Sequence, residues 1–267
     1  MTLWTQKTIK GVLLDITGVL YESGNGGGNA INGSISAVLE LNKLGIPVRF
    51  CTNETQCTRR KLVKNLHELG FSMEESHVFP PIPAMCQILK KRGLRPHTLV
   101  SSAAMEDFGE IDCSNPNCVV VGDATMELSY ENLNRAFQML IAMENPILFS
   151  LGKGKYYKDG GELCLDVGCY MKALEYACDI EAEVVGKPSS NFFNAALEDM
   201  CVEASETVMI GDDIVNDVGG AQACGMRGVL VRTGKFRPQD EQHSQVTPDG
   251  IVDNLAQAVK FIIESKT

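Results

Sequence analysis

The chain has 267 residues, of which 44% are hydrophobic and 22% are charged, and its formal net charge at pH 7 is −10. This length suffices for one large α/β unit or for a core domain that carries a smaller one. The acidic balance gives no electrostatic footprint for a nucleic-acid backbone, and no polybasic run suits an anionic membrane surface. The composition therefore predicts that neither nucleic acid nor a membrane is a partner.

The cysteines and the first residues bear on the cellular compartment. Residues 1–11 lack the apolar stretch of a signal peptide, and no apolar run approaches the length of a membrane span. The ten cysteines include no CxxC pair, and some lie within apolar runs, as Cys51 and Cys118 do. The sequence thus predicts reduced thiols and a cytoplasmic location, with the nucleus as a further compartment.

Short β-branched runs alternate with amphipathic stretches in the first and last parts of the chain. Strands are predicted over 11–16, 47–52, 182–185, 207–210 and 228–232. Helices are predicted over 34–44, 58–69, 190–200, 218–224 and from 254 onward. This alternation predicts an α/β fold with a Rossmann-like parallel-sheet core, covered by helices on both faces.

The middle of the chain alternates in the same way, with candidate strands over 98–101, 118–122 and 147–151 and candidate helices over 84–92, 132–143 and 168–178. It carries none of the chemistry found at the two ends. We interpret it as an inserted α/β cap domain over 83–183, between core segments 1–82 and 184–267. One continuous large sheet is the alternative.

Two polar motifs follow the first two predicted strands, where open α/β sheets place their ligand crevice. Asp15, followed by Ile16 and Thr17, comes directly after an apolar run. Its carboxylate is suited either to a turn or to nucleophilic attack that forms an aspartyl-phosphate. Thr52 and Asn53 follow the second strand, where they are suited to cap the next helix, to hold phosphoryl oxygens, or to do both.

Two further motifs lie in the last part of the chain. Lys187, between a glycine and a proline, is either a solvated loop cation or a fixed cation that offsets Asp15 and a phosphoryl group. Asp212, Asp213 and Asp217 crowd one turn after a predicted strand, and they repel each other unless a cation or hydrogen bonds compensate. A few hard oxygen ligands match Mg²⁺, which keeps several waters and shares its shell with a phosphate.

In this order, and each at a strand end, the four motifs resemble those of the haloacid dehalogenase superfamily, and the insert resembles the α/β cap of one of its branches. The resemblance implies that Asp15 is the nucleophile and that Lys187 pairs with it and with the phosphate. It implies a phosphoryl site of Asp15, Ile16, Thr17, Thr52, Asn53 and Lys187. It also implies that Mg²⁺ binds Asp15, the Thr17 carbonyl and Asp212, while Asp213 and Asp217 orient waters or neighbouring groups.

Within the superfamily, segments 11–21, 48–54, 93–96, 114–120, 171–177 and 233–238 resemble phosphatases of phospholysine, phosphohistidine and inorganic pyrophosphate. This implies Mg²⁺-dependent hydrolysis of P–N and P–O–P bonds, including imidodiphosphate, in a homodimer. The substrate would be a small phosphorylated molecule or a phosphorylated Lys or His side chain. The alternatives are a weakly catalytic phospho-ligand-binding protein of the same fold and a phosphomonoester phosphatase.

The chain departs from the superfamily pattern at Thr17. Most phosphatases of the superfamily carry a second aspartate there as general acid and base, and a threonine hydroxyl cannot replace it near neutral pH. General acid–base help is worth about 10²–10⁴-fold, so alkyl phosphomonoesters, whose alkoxides leave poorly, should suffer most. The leaving group of pyrophosphate is an anion that Mg²⁺ can stabilise, and the leaving group of a P–N substrate is a nitrogen base that can already be protonated. Thr17 therefore fits a preference for P–N and P–O–P bonds.

Overall fold

The computed structural model describes residues 3–24 and 27–266. Its strands are β1 (Gly11–Leu14), β2 (Tyr21–Glu22), β3 (Asn29–Ala30), β4 (Val48–Cys51), β5 (Val78–Phe79), β6 (Pro96–Leu99), β7 (Cys118–Val121), β8 (Leu148–Ser150), β9 (Tyr156–Asp159), β10 (Glu162–Leu165), β11 (Glu183–Val184), β12 (Thr207–Gly211), β13 (Arg227–Val231) and β14 (Gly250–Val252). Its α-helices are α1 (Ser34–Lys43), α2 (Arg59–Glu68), α3 (Pro81–Arg92), α4 (Tyr130–Ala142), α5 (Val167–Cys178), α6 (Ser190–Met200), α7 (Gly220–Ala223) and α8 (Leu255–Glu264).

The larger sheet has six strands in the order β14-β13-β12-β1-β4-β5, and every neighbouring pair is parallel. In β1, Leu13 lies opposite Met209 of β12 and Arg49 of β4. The predicted Rossmann-like parallel-sheet core is thus confirmed. Because parallel strands end at one edge of a sheet, the loops after β1, β4 and β12 meet there.

The central strand β1 explains why both faces of this sheet carry helices. Val12 and Leu14 point into the core cluster that includes α1, α2 and α8, whereas Leu13 points into the cluster with Phe193 of α6. All four residues of β1 are buried. Side chains alternate between faces along a strand, so a strand that is apolar throughout must be covered twice.

A smaller four-stranded sheet in the order β11-β8-β7-β6 forms the second unit, and it is also parallel. Its faces are again both apolar: Val120 and Phe149 pack on α3, and Val119 and Val121 pack on α4 and α5. An antiparallel hairpin, β9-β10, follows β8. The alternative of one continuous sheet is therefore wrong.

A strand does form within the predicted range 182–185, but the prediction that it belongs to the core sheet is wrong. β11 pairs with β8, where Glu183 lies opposite Phe149, and Val185 packs into the same apolar cluster of the smaller sheet. At the other junction α3 begins at Pro81, and Ile82 is buried in that cluster. We therefore propose that the cap extends over 81–185 rather than 83–183.

Two features bear on the predictions about membranes and thiols. All ten cysteines are free. Within residues 3–24 and 27–266, no helix combines the length and apolar character that a bilayer crossing requires.

Candidate active site

Lys187 is the centre of the polar cluster at the strand-end edge of the larger sheet. Its Nζ lies 2.6 Å from Asp15 Oδ1 and 2.8 Å from Asp217 Oδ1, and it donates a hydrogen bond of 2.9 Å to the carbonyl of Cys51. Lys187 is only 4% exposed. Burial lowers its pKa, but the two carboxylates outweigh burial and the net pKa is raised. The side chain is therefore a fixed cation.

Asn53 positions the backbone of Lys187. Its Nδ2 donates to the Lys187 carbonyl at 2.9 Å, and its Oδ1 accepts from the Lys187 N–H at 2.8 Å. A Cβ at position 186 would overlap Asn53 Oδ1, so glycine permits this close approach. The side chain of Asn53 thus holds the lysine loop, and its expected phosphoryl contact falls to its backbone.

Asp15, Asp212 and Asp217 form a buried acidic triad, with one oxygen from each within 4.8 Å of the others. Asp212 Oδ2 accepts the Lys235 N–H at 2.8 Å, whereas Asp212 Oδ1 is buried and has no hydrogen-bond partner among the described residues. Burial and the neighbouring acids raise the pKa of Asp212 well above its ordinary value. A buried unpaired carboxylate oxygen among hard oxygen donors fits a divalent cation such as Mg²⁺.

Gly18 shapes the space around Asp212. Its φ is +87°, a conformation that glycine adopts freely, and a Cβ there would overlap the Asp212 carboxylate. The Gly18 carbonyl accepts a hydrogen bond from Thr233 Oγ1 at 2.5 Å. The turn after Asp15 is thereby fixed against the acidic loop.

Asp213 has a different environment from the triad. It caps a π-helix over Ile214–Gly219, and its Oδ1 accepts the N–H groups of Val215 and Asn216 at 2.9 and 2.8 Å. Its Oδ2 lies 3.0 Å from Lys235 Nζ. Burial raises its pKa, but Lys235 and the hydrogen bonds prevail and lower it to about 2. Asp213 is thus a helix cap and the partner of a lysine.

Lys235 is a residue of this site that sequence reasoning did not single out. It follows β13 and belongs to segment 233–238, for which the sequence indicated a family resemblance but no role for any single residue. Its side chain is only partly exposed and its ammonium lies beside Asp213, and its net pKa is raised because Asp213 and Asp212 outweigh the effect of burial. Its signal in the sequence was a lysine just past a strand end, the pattern that identified Lys187.

The remaining predicted residues lie around this cluster. Thr52 is buried, and its Oγ1 accepts the Glu54 N–H at 2.9 Å. Thr17 Oγ1 lies 3.5 Å from the Tyr21 hydroxyl. Ile16 is fully buried in the apolar core, so only its backbone is left for a phosphoryl contact.

A cavity of about 390 Å³ lies beside the cluster, between the core and the cap. The core residues that line it include Asp15, Thr17, Tyr21, Thr52, Asn53, Glu54, Lys187, Asp212 and Lys235, and the cap residues include Asp123, Tyr157, Lys158 and Asp166. Burial raises the pKa of three carboxylates in this lining, Glu54, Asp123 and Asp166. Sequence reasoning gave none of the three a role: Glu54 entered only within the resembling segment 48–54, and Asp123 and Asp166 stand in loops without a recognisable motif.

Comparison with known proteins agrees with this architecture. A haloacid dehalogenase-like hydrolase model matches residues 12–133, and a HAD-hydrolase-like model matches residues 184–258. Phospholysine phosphohistidine inorganic pyrophosphate phosphatase of Rattus norvegicus is 60% identical over 266 residues, which is 99% of this chain and 98% of that protein. The chain belongs to the haloacid dehalogenase-like hydrolases.

Other known proteins are also similar to this chain over nearly its full length. Haloacid dehalogenase-like hydrolase domain-containing protein 2 of Homo sapiens is 38% identical, with 97% of each chain covered. In structure, 4-nitrophenylphosphatase of Thermotoga maritima superposes with a TM-score of 0.84 at 22% identity, covering 98% of this chain and 100% of that one. The structural likeness supports the fold alone.

Proposed function

We propose that the chain is a Mg²⁺-dependent phosphatase that hydrolyses P–N and P–O–P bonds through an aspartyl-phosphate on Asp15. The main support is the buried pairing of Asp15 with Lys187, with Nζ and Oδ1 2.6 Å apart, in the lining of a cavity of about 390 Å³. A binding protein needs no such nucleophile. The relative from rat, at 60% identity, is named for phospholysine, phosphohistidine and inorganic pyrophosphate.

The first step is nucleophilic displacement at phosphorus. A carboxylate oxygen of Asp15 forms a bond to phosphorus as the P–N or P–O bond to the leaving group breaks. Lys187 offsets the charge of Asp15 and of the phosphoryl oxygens, because it is fixed between two carboxylates. The Thr52 hydroxyl and the backbone amides of Ile16, Thr17 and Asn53 hold the phosphoryl oxygens.

The acidic triad supports the proposed cofactor. Asp15, Asp212 and the carbonyl of Thr17 would hold Mg²⁺, which supplies charge neutralisation and aligns the phosphoryl group for in-line attack. Asp217 and Asp213 orient the groups around it, since each already pairs with a lysine, at 2.8 Å for Asp217 and 3.0 Å for Asp213. The hard oxygen donors match the preference of this ion.

Thr17 supports the proposed choice of leaving group. Its hydroxyl contacts Tyr21 at 3.5 Å, and burial together with Glu54 raises the pKa of Tyr21 to about 12. Neither hydroxyl is an effective acid near neutral pH. P–N substrates and pyrophosphate depend less on protonation of the leaving group than alkyl phosphates do. The homodimer, the cytoplasmic or nuclear location and the physiological substrate stay predictions.

The test is phosphate release with Mg²⁺ from imidodiphosphate and from an alkyl phosphomonoester, for the wild type and for Asp15→Asn. We expect turnover of imidodiphosphate by the wild type alone, with far slower release from the alkyl ester. Equal rates on both compounds would contradict the proposed substrate class and favour a phosphomonoester phosphatase. No turnover of either, with retained affinity for the ligands, would favour the binding protein.

A further inference from the structure

Glu54 is a cavity-lining carboxyl group to which the proposed mechanism gives no role. It follows Thr52 and Asn53 at the end of β4, and its half-buried side chain shares the cavity with Asp15 and Thr17. Its Oε1 accepts the Gln56 N–H at 2.6 Å, and its own N–H donates to Thr52 Oγ1 at 2.9 Å. The carboxyl group is therefore fixed on the loop that is proposed to bind the phosphoryl group.

The neighbours of Glu54 connect it to Thr17, the position at which this chain lacks the second aspartate. Burial raises the pKa of the Tyr21 hydroxyl and the negative charge of Glu54 adds to this rise, and that hydroxyl lies 3.5 Å from Thr17 Oγ1. Thr17 occupies the place where most phosphatases of the superfamily have a general acid and base. A proton-accepting group thus lies across the same cavity, on a different loop.

The charged and titratable neighbours of Glu54 come from both units. Burial raises its pKa to about 7, and Asp123 and Asp166 of the cap add to this, against the hydrogen bond from Gln56. The core contributes the Tyr21 hydroxyl and the Cys57 thiol, whose own pKa values are raised to about 12. A base with a pKa near the working pH is the most effective one for proton transfer.

Asp123 is the neighbour that connects Glu54 to the cap. Asp123 lies just beyond β7, its carboxylate accepts from Gln56 Nε2 at 2.7 Å, and its N–H donates to Thr55 Oγ1 at 2.8 Å. These contacts place a cap carboxylate directly against the Glu54 loop. The negative charge of a cap residue therefore helps to raise the pKa of Glu54, a residue of the core.

We infer that Glu54 is the general base of the dephosphorylation step, and that it replaces the aspartate that this chain lacks at position 17. This inference rests on the proposed aspartyl-phosphate mechanism. The Glu54 carboxylate accepts a proton from water as the water oxygen forms a bond to phosphorus. The bond between phosphorus and the Asp15 oxygen breaks, Asp15 returns as a carboxylate, and phosphate leaves. The proton on Glu54 then passes to solvent.

The first experiment compares Glu54→Gln with the wild type in Mg²⁺ and imidodiphosphate, by acid quench and mass spectrometry of the phosphorylated enzyme. We expect turnover to fall about 10²–10⁴-fold while the aspartyl-phosphate accumulates, because the first step is intact. Accumulation also shows that the variant is folded. Asp159→Asn is the matched control, since it removes an exposed carboxylate from the lining of the same cavity, and we expect wild-type turnover from it.

The second experiment measures the pH dependence of dephosphorylation in Asp123→Asn. Glu54 must be ionised to accept a proton, so the wild-type rate should rise with pH through about 7 and then level off. Loss of the Asp123 charge lowers the pKa of Glu54, so the rising limb should move to lower pH. If the rising part of the pH–rate profile is unchanged in Asp123→Asn, the assignment of Glu54 as general base is overturned.

Two other outcomes separate this inference from the proposed function. Wild-type turnover in Glu54→Gln, or loss of turnover without accumulated aspartyl-phosphate, would overturn the role of Glu54 while the phosphatase reaction stands. A wild-type enzyme that forms no aspartyl-phosphate on Asp15 would remove the mechanism on which the inference rests.

Discussion

The Lys187 ammonium lies 2.6 Å from Asp15 and is held in place by a second carboxylate, Asp217, at 2.8 Å. One cation thus separates two buried acids that would otherwise repel each other. The pairing joins the end of β1 to a loop 172 residues further along the chain. The stability of the fold and the proposed reaction at Asp15 therefore both depend on Lys187 Nζ.

Lys187→Met should therefore affect both properties. Removal of one partner of a buried ion pair costs about 3–5 kcal/mol, so the free energy of unfolding in denaturant should fall by that amount without Mg²⁺. Turnover should fall about 10²–10³-fold or more. Lys158→Met is the control, because that lysine is partly exposed and lies 3.6 Å from Glu22. A stable, active Lys187→Met would contradict the role of the cation.

Asn53→Ala should displace the lysine without removing it. The substitution leaves the N–H and the carbonyl of Lys187 without their partners, which costs about 1–3 kcal/mol for each buried group. We expect a lower melting temperature and slower turnover with little change in KM. Asn65→Ala, on the same cavity wall, is the comparison. Equal effects of both substitutions would show that the contact with Lys187 has no special importance.

Asp212→Asn should lower stability relative to the wild type only when Mg²⁺ is present. Without the ion the buried carboxylate has an unpaired oxygen, so the neutral amide should leave the melting temperature unchanged or raise it. With Mg²⁺ at 100 times its Kd, the wild type should gain about 2.7 kcal/mol, and the variant should gain little. Thermal unfolding over a Mg²⁺ titration measures both. Equal stabilisation of the two proteins by Mg²⁺ would refute Asp212 as a ligand.

Thr17→Asp should restore the acid and base that the chain lacks. We expect it to raise turnover of alkyl phosphates far more than turnover of imidodiphosphate, because an alkoxide must receive its proton from an enzyme acid, whereas the nitrogen of a P–N bond can already be protonated. In a Glu54→Gln background it should also restore dephosphorylation. Steady-state rates on the two substrates test the first expectation, and aspartyl-phosphate levels test the second. Equal gains on both substrates would contradict the leaving-group argument.

Local pattern was sufficient to predict the parallel core and the strand ends that carry Asp15, Thr52 and Asp212. It was not sufficient for β11, because an apolar run over 182–185 suits either sheet and only its long-range pairing with β8 decides between them. The helix predicted over 218–224 likewise begins earlier, as a π-helix over Ile214–Gly219, since the Asp213 cap sets its start. Local preference is overruled where a tertiary contact fixes the backbone.

The loop residues were the hardest to predict. Lys235 and Glu54 have no periodic pattern, and what distinguishes them is their burial among charges that come from distant segments. Ile16 shows the converse, since the family resemblance implied a phosphoryl contact at this residue, while its side chain lies in the core. A residue beside a motif need not direct its side chain toward the site.

The two units contribute different walls to one cavity. The groups proposed to hold the phosphoryl come from the core, whereas Asp123, Tyr157 and Asp166 come from the cap. The attack on phosphorus and the leaving-group preference that Thr17 sets therefore belong to the core, whereas the cap wall faces the rest of the substrate. A chimera with its cap exchanged at 81 and 185 should keep the preference for P–N and P–O–P bonds and take from the donor its selectivity for the remainder of the substrate, so the insert is a module that selection or engineering can exchange.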